Sequence, residues 1–482
     1  MKNKVKFGTS GIRGLVNDMT DKVCYAYTLS FLEYLQSIDA IADHTVAIGG
    51  DLRNSTPRIM NAVAAAVVDA GYQVVNCGLV PTPALTLYGI NQNIASIMVT
   101  GSHIPDDRNG IKFNKPDGEV LKQDEQGILA QEPKLNEALF VGESLHRSNY
   151  LPAVNRIAEQ QYVARYIDFF AKNALAGMEI GVYQHSSVAR DLFITVLSGL
   201  GAEVLPLGRS EYFISVDTEA IRAEDVVLAK EWSAQYDLDC IVSTDGDADR
   251  PLISDEHGEW LRGDVAGILV ARFLQIDAIV TPVSSNSAVE KCASFSQVVR
   301  TKIGSPYVIS AMQSIVDAQK IAGYEANGGF LLNTSVALSG KQLTALPTRD
   351  AVIVALCILL AARQENDSIS QLLKALPERY TYSDRIKDFP SELSQSILAG
   401  IQTGQLDQDA TAFAQLFSGQ IEQAVAFDST DGVRITLANN DVVHIRGSGN
   451  APELRCYTEA DSYSRAKALN KLCIQKMLGW KD

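Results

Sequence analysis

The first 150 residues alternate short apolar runs with longer stretches in which apolar residues recur at helical spacing. Three runs predict strands, at 45–51, 72–78 and 95–102, and the stretch 58–72 predicts a helix with one apolar face, closed by Gly71. Strand, helix and strand in this order are typical of βαβ units, which build a parallel or mixed sheet. The pattern therefore predicts an α/β domain at the start of the chain.

The same layout returns twice more along the chain, without any repeat of the sequence itself. The second instance comprises residues 178–184, 191–203, 203–208 and 237–247. The third follows the polar stretch 254–264 and comprises residues 264–275, 277–285 and 305–319. Two further α/β units are therefore predicted.

Beyond about residue 375 the pattern changes. Residues 391–404 and 461–479 have helical spacing, and 421–448 is typical of short antiparallel strands joined by Asp-Gly and Asn-Asn turns. The predicted fold class is α/β, with three mixed-sheet α/β domains and a smaller C-terminal α+β domain. The predicted domain boundaries are 1–150, 151–255, 256–374 and 375–482.

Composition narrows the classes of protein that fit this layout. The 482 residues are enough for three or four domains, and 42 lysines and arginines against 57 aspartates and glutamates give a formal charge of −15. Such an acidic surface argues against a nucleic-acid backbone as the partner. The longest apolar run, residues 351–362, is too short to span a bilayer and predicts a buried helix. Seven scattered cysteines and the lack of an apolar signal core in residues 1–15 favour a reduced, cytoplasmic protein.

The segment TGSHIPDDRNGIKF (100–113) carries the first candidate chemistry. Ser102 and His103 lie where the predicted strand ends, and an exposed serine in such a turn is well placed to act as a nucleophile. Lys112 offers a positive charge or a general acid or base in the same segment. Taken by itself, the segment is equally typical of an ordinary polar loop.

Three aspartates alternate in the segment DGDADR (245–250), directly after the apolar run DCIVS. Asp245, Asp247 and Asp249 bring together hard carboxylate oxygens, which are the ligands that Mg²⁺ prefers. Without a cation the three like charges would repel one another. The segment therefore predicts a magnesium site in preference to three solvated aspartates.

An EF-hand calcium loop is the competing interpretation of the same segment, because Glu256 falls at the twelfth position of such a loop. However, Arg250 stands where that loop needs glycine, and the flanking runs DCIVS and PLIS are typical of strands. Magnesium is therefore favoured over calcium.

Two further glycine-containing segments carry side chains suited to a sugar phosphate. Glu325 and Asn327, in EANGG (325–329), can hydrogen-bond sugar hydroxyls, and the paired glycines allow a ligand to approach the backbone closely. The segment HIRGSGNAPELR (444–455) combines two arginines with backbone N–H groups near glycines, which suits a phosphate. Its candidate ligands are Arg446, Ser448, Gly449, Asn450 and Arg455. A simple turn between strands is the alternative for both segments.

Together these segments resemble the α-D-phosphohexomutase family, which includes phosphomannomutases and phosphoglucomutases. The resemblance extends over essentially the whole chain and rests on five motifs in the family's order. They are FGTSGIRG (7–14), TGSHIPDDRNGIKF (100–113), DGDADR (245–250), EANGG (325–329) and RGSGNAPELR (446–455). One such motif is weak evidence, but five in this order are highly specific.

The resemblance implies four domains around a central cleft, each giving one loop to the site. It implies a phosphoserine at Ser102 and a Mg²⁺ ion held by Asp245, Asp247, Asp249 and an oxygen of that phosphoserine. The implied catalytic residues are Ser102, His103, Lys112, Arg13 and Arg250. The implied substrate-binding residues are Lys302 in TKIGSP (301–306), Glu325, Asn327, Arg446, Ser448, Gly449, Asn450 and Arg455.

The activity implied by the resemblance is the interconversion of hexose 6-phosphate and hexose 1-phosphate, with mannose phosphates preferred. It would pass through the phosphoserine and a hexose 1,6-bisphosphate, which also serves as activator. Phosphoglucomutase and phosphoglucosamine mutase activities are the alternatives within the family. A metal-dependent phosphatase and an inactive sugar-phosphate-binding protein are the alternatives outside it. The expected partner is a small sugar phosphate, not nucleic acid or membrane, and a monomer or homodimer is expected.

The chain departs from many family members at a few positions near these motifs. Ile104 replaces an asparagine, Tyr324 replaces a glycine and Ser305 replaces a histidine found in some members. Asn450 and Ala451 stand where many members have Thr-Glu. These differences concern the contacts to the sugar and the distal phosphate, and they leave the serine and the aspartates intact.

Overall fold

In this computed structural model, residues 5–8, 11–41, 43–447 and 452–481 are described, and internal contacts divide the chain into two units. The first unit consists of Met1–Ile279 and Gly304–Leu373. The second consists of Val280–Ile303 and Lys374–Asp482. The four domain boundaries given above stay a prediction, because this division follows contacts and joins residues 280–303 to the C-terminal segment.

The N-terminal segment is built on one mixed sheet. Its strands are β1 (Lys6–Phe7), β2 (Ile12–Leu15), β3 (Thr45–Gly50), β4 (Gln73–Leu79), β5 (Ala95–Val99), β6 (Arg108–Lys115), β7 (Gly118–Glu119), β8 (Phe140–Val141) and β9 (Ser144–Leu145). Its helices are α1 (Asp21–Ser37), α2 (Thr56–Asp69), α3 (Thr82–Gln92) and α4 (Lys122–Leu129). The sheet order is β1-β2-β6-β5-β3-β4, with β7 beside β6, and β8 and β9 form a separate two-stranded sheet. Strand β3 is parallel to β4 and β5, whereas β6 is antiparallel to β5 and β2.

The predicted strands and helix of this segment are confirmed, with one difference at the end of β5. That strand ends at Val99, three residues before the predicted end at Ser102. Ser102 has a φ of +54°, in the left-handed region, and its N–H donates to Thr100 Oγ1 at 2.7 Å. The chain therefore leaves the sheet before Ser102 and turns sharply there.

The second segment is also an α/β layer. Its helices are α5 (Ile157–Phe169), α6 (Arg190–Gly199) and α7 (Ala223–Tyr236), and its strands are β10 (Glu179–His185), β11 (Glu203–Arg209), β12 (Cys240–Thr244) and β13 (Pro251–Ile253). The sheet order is β11-β10-β12-β13. Strand β10 is parallel to β11 and β12, and β13 is antiparallel to β12. The loop 245–250 thus connects two adjacent antiparallel strands.

The third segment supplies further elements to both units. Its helices are α8 (Gly263–Phe273), α9 (Ala288–Lys291), α10 (Ser305–Gln313), α11 (Ala351–Glu365) and α12 (Ile369–Lys374). Its strands are β14 (Ala278–Pro282), β15 (Gln297–Thr301), β16 (Ile321–Tyr324), β17 (Phe330–Leu332), β18 (Val336–Leu338), β19 (Lys341–Leu343) and β20 (Leu346–Asp350). Within the first unit, β17 pairs antiparallel with both β16 and β20.

The apolar run at 351–362 forms helix α11, and every residue of that run is buried. The helix begins after Asp350, whose side chain accepts from the N–H groups of Val352 and Ile353. It ends at Asn366, which has a left-handed φ of 56°. The prediction of a buried helix is therefore confirmed, and its start fixes Asp350 directly beside the last strand.

The C-terminal segment lies in the second unit and is α+β, as predicted. Its strands are β21 (Tyr380–Lys387), β22 (Ala424–Asp428), β23 (Val433–Leu437), β24 (Val442–Gly447) and β25 (Glu453–Ala460). Its helices are α13 (Ser391–Ala399), α14 (Leu406–Leu416) and α15 (Tyr463–Leu478). The sheet is antiparallel, in the order β21-β25-β24-β23-β22. Gly432 and Asn440 have positive φ in the two predicted turns.

Among the residues that the structure describes, no helix has both the length and the apolar character needed to cross a membrane. All seven cysteines are free thiols, and six of them are buried. The three α/β segments and the α+β tail agree with the predicted fold class.

Candidate active site

Ser102 lies in the turn that follows β5, and we call residues 100–108 the serine loop. The prediction of an exposed serine was wrong: the side chain is buried because the aspartate loop packs against it, and its Oγ donates a hydrogen bond to Asp245 Oδ2 at 2.5 Å. The same Oγ lies 3.2 Å from His103 Nδ1. The structure thus brings the predicted nucleophile into contact with the first aspartate of the predicted metal site, 143 residues later in the chain.

The second part of the site is the aspartate loop, residues 245–250, between β12 and β13. Asp245, Asp247 and Asp249 are all buried, and one carboxylate oxygen from each lies within 4.8 Å of the other two. Asp247 Oδ1 and Asp249 Oδ1 have no hydrogen-bond partner among the described residues, although both atoms are buried. Buried anionic oxygens without donors are costly, so this arrangement fits a bound cation.

Lys112, on β6, supplies positive charge to the aspartate loop. Its Nζ donates to Asp247 Oδ2 at 2.6 Å and to Asp249 Oδ2 at 2.5 Å. Burial by itself would lower the pKa of Lys112, but the two carboxylates raise it above its ordinary value. The lysine is therefore held in its charged form beside the aspartates.

The aspartate loop does not have the environment of an EF-hand. It connects two paired strands, β12 and β13, instead of two helices. In an EF-hand, Glu256 would be the twelfth residue of the loop and would bind calcium. Here its Oε1 accepts hydrogen bonds from Ser368 Oγ at 2.6 Å and Ser370 Oγ at 2.5 Å. Because this carboxylate is engaged elsewhere, the calcium-loop alternative is excluded.

Two arginines and a histidine lie close to the aspartates. Arg250 Nε is 3.7 Å from Asp249 Oδ1 and 4.0 Å from Asp245 Oδ2. Burial, together with the positive charge of Arg250, lowers the pKa of Arg13, on β2, to about 10. Burial, together with Arg250 and Arg13, also holds the pKa of His103 well below its usual range. His103 is therefore neutral at neutral pH, whereas the arginines remain charged.

Glu325 and Asn327 lie in the turn between β16 and β17, also in the first unit. Glu325 Oε2 accepts from Arg349 Nη1 at 3.1 Å, and Asn327 Oδ1 accepts from the N–H of Gly329 at 2.9 Å. The backbone carbonyl of Asn327 accepts from Thr218 Oγ1 at 2.7 Å. The structure therefore gives Asn327 a role in shaping this turn, in addition to the predicted sugar contact.

The remaining predicted ligands belong to the second unit. Arg446, on β24, lies opposite Arg455, on β25, and Lys302 follows β15. Arg446 Nε is 3.4 Å from Asp431 Oδ1, and Arg455 Nη2 donates to Glu453 Oε2 at 3.2 Å. Three predicted ligands of this segment lie outside the described residues: Ser448, Gly449 and Asn450.

Comparison with family models covers each of these segments in turn. Models of the phosphoglucomutase/phosphomannomutase α/β/α domains I, II and III match residues 4–138, 160–258 and 262–380, and the model of the C-terminal domain matches residues 395–473. The chain belongs to the phosphoglucomutase/phosphomannomutase family. The resemblance inferred from the five motifs is thereby confirmed.

Individual members of this family match almost the entire chain. A phosphomannomutase of Salmonella muenchen is 45% identical over 466 residues, which cover 96% of this chain and 94% of that protein. A crystal structure of a phosphoglucomutase/phosphomannomutase family protein of Burkholderia thailandensis has a TM-score of 0.74 at 18% identity, covering 98% and 97% of the two chains.

A more distant structure was solved with ligands. The N-acetylphosphoglucosamine mutase of Aspergillus fumigatus, in complex with GlcNAc-6P and magnesium, has a TM-score of 0.60 at 14% identity. It covers 98% of this chain and 96% of that chain. At this identity the likeness concerns the fold.

The family motifs do not include Arg53, which holds the serine loop in shape. This side chain is fully buried, and its Nε donates to Asp51 Oδ2 at 3.2 Å. Its two terminal nitrogens donate, at 2.6–3.0 Å, to the backbone carbonyls of Ser102, Ile104, Pro105 and Arg108. The guanidinium also lies 4.0 Å from the centre of the Phe213 ring.

Sequence reasoning missed Arg53 and a second buried arginine, Arg349, which contacts both Asp249 and Glu325. A signal was available for each. Arg53 follows the carboxyl end of β3, an edge of a parallel sheet where ligand sites of α/β folds lie. Arg349 precedes Asp350, a cap residue directly before an apolar helix. For both arginines, the sequence predicts a location close to the site, but it does not predict which groups accept their hydrogen bonds.

Proposed function

We propose that this chain is a phosphohexomutase that interconverts hexose 6-phosphate and hexose 1-phosphate, with mannose phosphates as preferred substrates. The observation that carries the proposal is the hydrogen bond of 2.5 Å from Ser102 Oγ to Asp245, within a cluster of three buried aspartates. Family membership and the 45% identity to a phosphomannomutase support the reaction and the choice of sugar.

The proposed metal ligands are Asp245, Asp247, Asp249 and the oxygen at Ser102, and the proposed ion is Mg²⁺. Their hard oxygen donors suit this ion, and two buried carboxylate oxygens without hydrogen bonds support its presence. When bound, the ion would supply neutralisation of the charge on the transferred phosphoryl group. The A. fumigatus homologue, whose structure contains magnesium, is consistent with this choice.

The residues of the chain account for the group transfer itself. Ser102 Oγ would carry the phosphoryl group, which moves to O6 or O1 of the sugar as the bond to Oγ breaks and the new P–O bond forms. The proton that the sugar hydroxyl loses ends on Ser102 Oγ, which becomes a hydroxyl again, and Lys112, Arg13 and Arg250 stabilise the charge on the oxygens involved. Neutral His103 lies beside Oγ and can exchange a proton with it.

The product of this transfer is a hexose 1,6-bisphosphate, which must turn over before its other phosphate meets Ser102. The same compound, supplied externally, would act as activator by phosphorylating Ser102. We assign the sugar hydroxyls to Glu325 and Asn327. We assign the distal phosphate to Lys302, Arg446, Ser448, Gly449, Asn450 and Arg455.

The proposal includes four domains, with boundaries near residues 150, 255 and 375. Each would give one loop to the site. A cytoplasmic location is supported by the seven free thiols, which suit a reducing compartment.

The test combines activity with the mass of the protein. The wild-type chain should convert mannose 1-phosphate faster than glucose or glucosamine 1-phosphate in the presence of Mg²⁺, and peptide mapping should locate a phosphoryl group on Ser102. Ser102→Ala should lower the rate by at least about a thousand-fold, because the group that carries the phosphoryl is removed. Ser37→Ala, at an exposed serine of α1, is the matched control and should be fully active.

Two outcomes would contradict the proposal. Normal turnover by Ser102→Ala would remove the serine from the mechanism. Release of inorganic phosphate without formation of hexose 6-phosphate would identify the chain as a phosphatase instead.

A further inference from the structure

Arg349 is the residue that joins the aspartate loop to the turn carrying Glu325. It lies at the end of β20, and its side chain is only 4% exposed. Its Nε donates to Asp249 Oδ2 at 3.1 Å and its Nη1 donates to Glu325 Oε2 at 3.1 Å, while its Nη2 lies 2.9 Å from Asp249 Oδ2. One planar guanidinium therefore bridges a proposed metal ligand and a proposed sugar ligand.

The choice of oxygen on Asp249 is informative. Arg349 and Lys112 both donate to Oδ2, whereas Oδ1 is buried without a hydrogen-bond partner among the described residues. These two cations therefore engage Oδ2, and Oδ1, which lies 3.7 Å from Arg250 Nε but accepts no hydrogen bond from the described residues, is the oxygen that a metal ion could take. On Glu325, the bond from Arg349 is made to Oε2, which leaves Oε1 as the oxygen to be offered to a sugar hydroxyl.

The backbone at Arg349 is held by contacts that do not involve the site. The neighbouring Asp350 caps helix α11 and accepts hydrogen bonds from Tyr162 and Tyr166, two buried tyrosines of α5. Gly329 lies against the arginine so closely that a Cβ there would be 2.5 Å from the Arg349 side chain. The guanidinium is therefore set in place before any ligand arrives.

A simple charge-balancing role would not require this geometry. A lysine could neutralise Asp249, but the planar fork of an arginine sets two nitrogens against one carboxylate and a third against another in a fixed geometry. A buried ion pair is also weak evidence for stability, because removing charges from water costs about as much as their attraction returns. The geometry therefore points to a role in arranging the two carboxylates.

We infer that Arg349 is a positioning residue that couples the aspartate loop to Glu325, so that occupation of one carboxylate changes the ligand affinity of the other. The inference rests on the proposed function for the identity of the ligands. A metal ion that neutralised Asp249 would weaken the attraction between Arg349 and Asp249. Arg349 would then bind Glu325 more strongly. By reciprocity, a change at Glu325 must alter metal affinity at Asp249.

A double-mutant cycle on metal binding isolates this coupling from catalysis. Calorimetric titration with Mg²⁺, without sugar, would compare wild type, Glu325→Gln, Arg349→Met and the double variant. Glu325→Gln should weaken Mg²⁺ binding about fivefold, because Arg349 then interacts more strongly with Asp249 and competes with the ion. In the Arg349→Met background the Glu325 change should have no effect. Arg222→Lys, at an arginine paired with Asp225 away from the site, is the control.

Arg349→Lys serves as a second variant if Arg349→Met does not fold. It retains the positive charge but not the fork, so it should bind Mg²⁺ and still lose most of the fivefold response to Glu325→Gln. An unchanged fivefold response in either background would overturn the inference while leaving the mutase proposal intact. If Glu325→Gln weakened Mg²⁺ binding as expected but the wild-type chain had no mutase activity, the inference would stand and the mutase proposal would be overturned. No Mg²⁺ binding by wild type would overturn both the inference and the proposed metal site.

Discussion

Two loops meet at the hydroxyl of Ser102, and they are held by opposite kinds of groups. In the serine loop, four backbone carbonyls converge on one buried cation, Arg53. In the aspartate loop, three carboxylates converge and are balanced by cations from other segments, Lys112 and Arg349. In the serine loop, these carbonyls already have their hydrogen-bond donor and need no ligand. In the aspartate loop, a bound metal ion would add positive charge to carboxylates that are already paired with cations.

The largest loss of stability is expected from replacing Arg53, the cation that binds the serine loop. Arg53→Met takes the donor from four carbonyls and leaves Asp51 buried without its ion-pair partner. Breaking a buried pair in this way costs about 3–5 kcal/mol, and the lost carbonyl bonds place Arg53→Met at the upper end, at about 5 kcal/mol. Urea denaturation with and without Mg²⁺ measures this loss, which should be the same in both conditions.

Arg58→Met is the matched control for this prediction. Arg58 also donates to an aspartate, Asp21, at 2.6 Å, but its side chain is 40% exposed. A partly exposed pair contributes up to about 1 kcal/mol, so the control should lose far less stability. Equal losses for the two variants would show that Arg53 is not what holds the serine loop.

A smaller effect, and one that depends on metal, is expected from Lys112→Met. Without Mg²⁺ the aspartates lose an ammonium that contacts two of them, at a cost of about 3 kcal/mol, the lower end for a broken buried pair. Saturating Mg²⁺ should recover much of this loss, because the ion replaces the missing positive charge. Thermal denaturation of wild type and variant, with Mg²⁺ or with chelator, gives the comparison.

Lys115→Met, on the same strand, controls for the substitution itself. Lys115 Nζ lies 3.2 Å from Asp124 and forms its ion pairs away from the aspartate loop, so any loss of stability in Lys115→Met should not respond to Mg²⁺. If Mg²⁺ changed the stability of both variants equally, the ion would not be replacing Lys112. The contrast between the two loops would then lose its basis.

The elements that sequence predicted best are those whose pattern is local. Twelve consecutive apolar residues identify α11, and an apolar run followed by alternating aspartates identifies β12 and its loop. Strand β21 was not predicted, because only two of its eight residues are buried and its pairing partner β25 lies about 70 residues away. Helix α14 was missed as well, since its weakly apolar sequence takes its support from the rest of the second unit.

The site shows the same division between local and distant signals. The serine, the lysine and the three aspartates each stand in a motif, and their chemistry was predicted from residue types together with the resemblance to the family. The contacts of Arg53 with the serine loop and of Arg349 with Asp249 could not, because these acceptors come from segments about 50 to 100 residues distant. A motif gives the candidates for the reacting groups, whereas the groups that hold them follow from the folded chain.

The smallest expected effect is an acid sensitivity at the base of the aspartate loop. His185 is buried, and its Nε2–H donates to the carbonyl of Thr244, the residue directly before Asp245. Burial lowers the pKa of His185 to about 4, against about 6.5 in an unfolded chain. The unfolded state therefore binds more protons in this interval. The stabilisation is complete above about pH 6.5 and is lost as the pH falls toward 4.

At pH 5.5 these two pKa values correspond to a loss of about 1.4 kcal/mol relative to neutral pH. His185→Gln retains a side-chain N–H but does not titrate, so this part of the acid sensitivity should disappear. Urea denaturation at pH 7.5 and 5.5 measures the difference, with His257→Gln, at a side chain 70% exposed, as the control for the substitution. Equal acid losses in wild type and His185→Gln would assign the sensitivity to other groups. A loss confined to wild type and the control would show that the aspartate loop depends on a neutral histidine beneath it, whereas the carbonyls around Arg53 have no proton to gain.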